Sequence, residues 1–250
     1  MREPVHFIPI LTTLVALAFA TAVLGRWRER RSGPHLLWWG AGLIIWAVGT
    51  GTEAAVTLFG WREGVFRTWY ISGALLGGAP LAQGTVYMLL PRGAAHRLAI
   101  ALVGAVTVAA TCVLLSPIDV AAVEPYRLTG RVLEWRWVRW LSPFINLYAV
   151  TFLVGGAILS AVRYRRRRET HHRFVGNVLI AVGAILPGIG GAATRFGHTE
   201  VLYVTELVGL VLIWLGYRWN VREPSAVSPQ PSVEPPSPAP RRRGELTADS

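Results

Sequence analysis

The 250-residue chain contains no lysine, a single cysteine and two methionines, and only 16% of it is charged. Each shortage removes a class of function. Without a lysine amine there is no retinal Schiff base, so a light-driven rhodopsin is excluded whatever the helix count. The lone thiol, Cys112, sits inside an apolar run and can form neither an intrachain disulfide nor a thiolate metal cluster, which leaves it as a small packing residue. Histidine is missing from the middle of the apolar runs. His6, His35, His96, His171, His172 and His198 all fall at run ends or in loops. That denies haem its mid-helix pair and a membrane hydrolase its metal cluster, and the vicinal His171 and His172 do not converge on one ion. No Ser, His and acid share a depth. The residues therefore call for no enzyme, no metal and no cofactor. Soluble domains carry about 25% charged residues. This chain, 52% hydrophobic with a mean hydropathy of +0.41, has too little polar surface to coat a globule. It is expected to be a membrane protein.

What is present is apolar sequence in lengths near the roughly 20 residues that span hydrocarbon. Seven such runs are read, at 7–25, 36–59, 68–90, 98–115, 141–162, 174–193 and 201–217. The predicted fold is an all-α integral membrane protein, a seven-transmembrane-helix bundle. The first run carries a small-x-small triplet, Ala20-Thr21-Ala22, but Arg26, Arg28, Arg30 and Arg31 follow it, so it reads as an uncleaved helix. All 25 basic residues are arginine and the net charge is +11. Clustering beside apolar runs assigns these arginines to topology and to lipid headgroups, with no nucleic-acid partner. Their bias predicts the N-terminus outside and the C-terminus cytoplasmic. The run Arg163, Arg165, Arg166, Arg167 and Arg168 is the strongest membrane-surface signal. The segment 131–140 interleaves Trp and Arg and is expected to form an interfacial helix on the outer face. Residues 1–222 make the membrane domain; 223–250, rich in Pro, are expected to be a disordered cytoplasmic tail. The oligomeric state is not set by the sequence.

Two carboxylates lie inside the apolar runs, Glu53 in the second and Glu206 in the seventh. An ionisable group at such depth is costly unless neutral, paired or facing water. At 1.5 Å per residue both lie about 10 Å below the outer helix ends, in one stratum. Tyr70, Asn146, Tyr148 and Tyr203 are expected there as well, with Arg195 as counter-charge. Together they would line an outer-half cavity for a small ligand or a proton. The plainer reading, acids that fix helix register by hydrogen bonding, stays open beside it. On the second helix Trp46, Thr50, Glu53 and Thr57 share a face that should point into the bundle. Gln83 and Tyr87 sit lower and could form a second polar layer with Asn177. In the sixth helix Pro187 and Gly188 mark a candidate hinge.

Several stretches resemble the seven-helix N-terminal sensor module of certain bacterial histidine kinases. They are Ile45-Trp46-Ala47-Val48-Gly49 leading to Glu53, Trp69-Tyr70-Ile71-Ser72-Gly73 leading to Pro80, Asn146-Leu147-Tyr148, and Ile185-Leu186-Pro187-Gly188 followed by Glu206. The likeness covers most of residues 1–222. It implies a sensor in the bacterial cytoplasmic membrane that couples a stimulus to a cytoplasmic effector. After Tyr217 no dimerisation helix, phosphoacceptor domain or ATP-binding domain follows, so a separate signalling partner is expected. A proton- or cation-coupled transporter is the alternative.

Overall fold

The computed structural model describes residues 4–31, 33–165, 170–194 and 196–221. The architecture is all-α. A short 3-10 turn, Pro4–Phe7, leads into α1 (Ile8–Arg30), and α2 (Pro34–Phe59) returns beside it. Then come α3 (Glu63–Trp69), a π-helical stretch Tyr70–Leu76, and α4 (Ala79–Leu89). α5 (Arg92–Leu115) is followed by a cap of 3-10 turns, then α6 (Leu141–Ala149), a second π-helical stretch Val150–Val154, and α7 (Gly155–Tyr164). α8 (His171–Thr194) and α9 (Thr199–Val221) form a closing hairpin.

Among the described residues, six helical segments are long and apolar enough to cross a membrane, so this is a multi-pass membrane protein. The stretch expected as a third continuous span, 68–90, is instead divided. Gly77 takes φ +39°, in the left-handed region, and its N–H bonds to the Ser72 carbonyl, closing the wide π turn before Pro80 restarts the helix. A β-carbon at Gly77 would stand 3.1 Å from Asn146 Oδ1 and 3.2 Å from the Gly73 carbonyl, so glycine is required twice over.

The helices close into a ring in which α2 packs on α1 and α4, α7 on α8, and α9 returns to α1, with α5 set against the outside of α4 and α6. Phe19, Leu43, Leu81, Leu210 and Ile213 make its core. Association inside lipid gains nothing from excluding water and rests on close packing, which α8 and α9 show most clearly. Gly176, Gly183 and Gly190 recur every seventh residue on α8, facing Gly216, Gly209 and Leu202 on α9. A methyl at Gly183 would stand 2.6 Å from the Gly209 carbonyl oxygen, and one at Gly209 equally close to that of Gly183. Pro187 has no N–H for the Gly183 carbonyl, and the Gly209 backbone fills that position. The candidate hinge at Pro187 and Gly188 is thus a point where α8 is held against α9, within a continuous helix.

The segment 131–140 differs from the interfacial helix expected there. It breaks into 3-10 turns at Gly130–Val132 and Arg136–Trp140, with a bridge between Ile118 and Leu133. The reason is burial in two directions. Val132, Leu133 and Val138 pack under the chain against Phe66 and Tyr70, while Trp137 and Trp140 stay exposed. Arg67 fastens this cap. It pairs with Glu63 at 2.7 Å and donates to the Val113 and Ser116 carbonyls at the end of α5, where a cation meets the negative end of the helix dipole. The 223–250 tail lies outside the described residues, as do Arg166, Arg167, Arg168 and Arg195. Arg163 closes α7, and Arg165 follows it.

Candidate functional site

α2 presents Thr50, Glu53 and Thr57 inward, each 4% exposed or less. Their one-face spacing is why the polar stripe meets protein and not lipid. Glu53 Oε1 accepts a 2.9 Å hydrogen bond from the indole N–H of Trp69, the last residue of α3. Glu206 reaches the same place from α9, and the two carboxyls are hydrogen-bonding neighbours. Oε2 of each is closed to a water-sized sphere and takes no hydrogen from any other described group. Two bare carboxylates in contact would repel strongly at low dielectric. A carboxyl O–H on one acid, donating to an oxygen of the other, would relieve that repulsion.

Tyr203, one turn before Glu206 on α9, is 5% exposed, and its hydroxyl is within electrostatic reach of Glu53, Glu206, Glu200 and Arg127. The His6 ring meets the Tyr203 ring edge-on at 6.2 Å between centroids, bringing the N-terminal turn onto the site. Arg127, from the cap of 3-10 turns, donates to the carbonyl of Thr194 at 3.1 Å and to Glu124 at 3.4 Å, and its charge reaches the Tyr203 hydroxyl. Arg195, expected as the counter-charge, lies outside the described residues.

The other expected members go elsewhere. Tyr70 is buried in the cap beside Ser142 and Arg139, whereas Trp69, the residue before it, faces Glu53. Asn146 donates to the Ala74 carbonyl at 3.1 Å, serving a backbone group of the broken helix. Tyr148 donates to Gln83 Oε1, and Gln83 Nε2 donates to the Ala95 carbonyl at 3.0 Å, making a polar contact of its own. Tyr87 packs edge-on against His96. Asn177, considered for the same layer, pairs with Asn220 on α9 at 3.2 Å. Trp69 and Arg127 were not singled out from the sequence. A tryptophan at a helix end needs an acceptor for its N–H when buried, the one signal by which Trp69 would have been found.

Of the described members of the expected seven-residue set, Glu53, Glu206 and Tyr203 come together, joined by Trp69. Glu53 is 4% exposed whereas Glu206 is half-buried, and the Oε2 atom of each is out of reach of water in this conformation. Among the described residues no group of three or more His, Cys, Asp or Glu is placed to hold a metal ion. No protein-family model matches the chain, and neither a curated protein nor a solved structure is found to be similar to it.

Proposed function

We propose that this multi-pass membrane protein is a proton-responsive sensor whose switch is the Glu53–Glu206 carboxyl pair. The observation that carries the proposal is the pair of buried Oε2 atoms, each without a donor, on two acids that lie within hydrogen-bonding reach of one another. A proton shared by the pair holds the two acids together; its loss leaves two like charges side by side with Glu53 buried, and the relief is separation of α2 from α9. Because the glycine contacts hold α9 to α8, the hairpin shifts as one body relative to α1 and α2. Its other end leads into the arginine-bearing connection between α7 and α8, where a separate cytoplasmic partner would read the change. The resemblance to kinase sensor modules supports the same direction of signalling, with the N-terminus outside.

The test uses spin labels on the full chain in nanodiscs, in a Cys112→Ser background, at Leu58→Cys and Val201→Cys near the outer ends of α2 and α9. The distance is expected to lengthen as pH rises, and Glu53→Gln is expected to abolish the change. A distance that ignores pH, or responds equally in Glu53→Gln, overturns the proposal.

A transporter reading draws on one specific observation, the interrupted helix of α3 and α4 that supplies Trp69 to the pair. Discontinuous helices at an acidic site are a transporter feature. Proton-coupled flux in proteoliposomes that Glu53→Gln abolishes would replace the sensor reading with this one.

A further inference from the structure

At the opposite end of the bundle from Glu53, α1 and α9 part to leave a groove of about 480 Å³. Arg26 lines it from α1 and Arg218 from α9, so two guanidinium groups on different helices face one space. Neither belongs to the ion pairs Glu63–Arg67 and Glu124–Arg127. Arg30 adds positive charge within electrostatic reach of Tyr217, which walls the groove. Glu29, exposed and one turn beyond Arg26, offsets part of this charge on the aqueous side.

The remaining walls suit a lipid better than a soluble anion. Trp214 is fixed by stacking on Phe19, with ring centroids 5.4 Å apart and planes 9° from parallel. Gly25 has nothing within 4 Å of where its β-carbon would be, so the groove stays open at that level. Thr21 and Ala22, a turn deeper into the apolar part of α1, are small and exposed and continue the channel along the helix. Arginine above, aromatic rings at the side and small residues below follow the order of a phospholipid, from phosphate to interface to acyl chain.

We propose that the α1–α9 groove binds one anionic phospholipid, its phosphodiester held between Arg26 and Arg218 and one acyl chain running down past Ala22. The lipid then belongs to the seam that closes the helical ring. This site is separate from the Arg163–Arg165 connection, whose charges act on the membrane surface as a whole.

Native mass spectrometry of the delipidated full-length protein, titrated with phosphatidylglycerol or phosphatidylcholine, tests it. One phosphatidylglycerol per chain is expected to be retained, with a preference over phosphatidylcholine on the order of tenfold or more, as two interfacial arginines supply. Arg26→Gln with Arg218→Gln should remove the preference, whereas Arg163→Gln with Arg165→Gln should leave it. Gly25→Leu changes no charge but fills the groove, and should lower occupancy by itself. Equal retention of phosphatidylcholine, or an undiminished preference in the Arg26 and Arg218 variant, overturns the proposal. Displacement of the lipid by an equal concentration of inorganic phosphate would make this a free-anion site and overturn the lipid assignment.

Discussion

Glu53 has two neighbours that decide its chemistry, an indole that donates to Oε1 and the carboxyl of Glu206 within hydrogen-bonding reach. Substitution by Gln keeps both contacts, because the amide oxygen still accepts from Trp69 and the amide N–H can donate to Glu206. Glu53→Gln is therefore expected to unfold within about 1 kcal/mol of the parent, the net worth of one hydrogen bond. Thermal denaturation of the full chain in detergent checks this, and a loss several times larger would show that the pair is not sharing a proton. Trp69→Phe has the opposite character. It leaves Glu53 Oε1 buried without its donor and should cost about 1–3 kcal/mol. Combining it with Glu53→Met should cost less than the sum of the two, since the methionine no longer needs the indole. Additive losses in that cycle would mean that the 2.9 Å contact carries no coupling. Glu53 and Glu206 were legible in the sequence as expensive residues at one depth. Trp69 was not, because an aromatic residue at the end of an apolar run looks like an ordinary interface anchor until its ring is seen to turn inward.

At the scale of elements, the α8–α9 hairpin and the α3–α4 break behave in opposite ways. The hairpin has no slack where Gly183 meets Gly209, so Gly209→Val must push two backbones apart and should cost about 3 kcal/mol or more, at the upper end of overpacking effects. Gly188→Ala, on α8 with open space around it, is expected to stay within about 0.5 kcal/mol or to stabilise through helix propensity. Comparing the two by detergent denaturation separates packing from hinge. A Gly188→Ala variant that folds normally but loses the pH-dependent shift would restore the hinge. In the α3–α4 break, Gly77→Ala places a side chain at φ +39° against Asn146 and should cost about 1–2 kcal/mol. The hydropathy run at 68–90 conceals this break, since Gly and Pro are tolerated inside spanning helices and only the backbone path shows that hydrogen bonding changes pattern at Tyr70. The glycine heptad on α8 was present in the sequence too. Its meaning depended on α9 offering Gly209 and Gly216 at matching levels in the reverse direction.

For the whole molecule, the arginines segregate to the two ends of the ring. Arg26, Arg28, Arg30, Arg31, Arg92, Arg97, Arg163, Arg165 and Arg218 mark one end, and Arg62, Arg67, Arg127, Arg131, Arg136 and Arg139 the other. Several at the second end have structural duties in the cap: Arg67 closes α5 and Arg127 closes α8. Arginines tied into a folded cap are compatible with an outer position. Labelling with a membrane-impermeant maleimide tests this in a Cys112→Ser background. Ala122→Cys is expected to react in intact cells, and Arg165→Cys only after permeabilisation. The reverse pattern would invert the topology and place the carboxyl pair in the inner half.

Composition and periodicity by themselves determined that the chain lives in a bilayer, where its six long apolar helices fall and which acids are out of place, because the cost of polar groups in hydrocarbon is local and leaves its mark on every window of sequence. Whether Glu53 and Glu206 meet is a relation between α2 and α9, set by how the ring closes and by α9 being held to α8. That closure, with the turn of Trp69 toward Glu53 and of Tyr70 away from it, is a matter of packing between segments distant in the chain. Only the tertiary structure decided it.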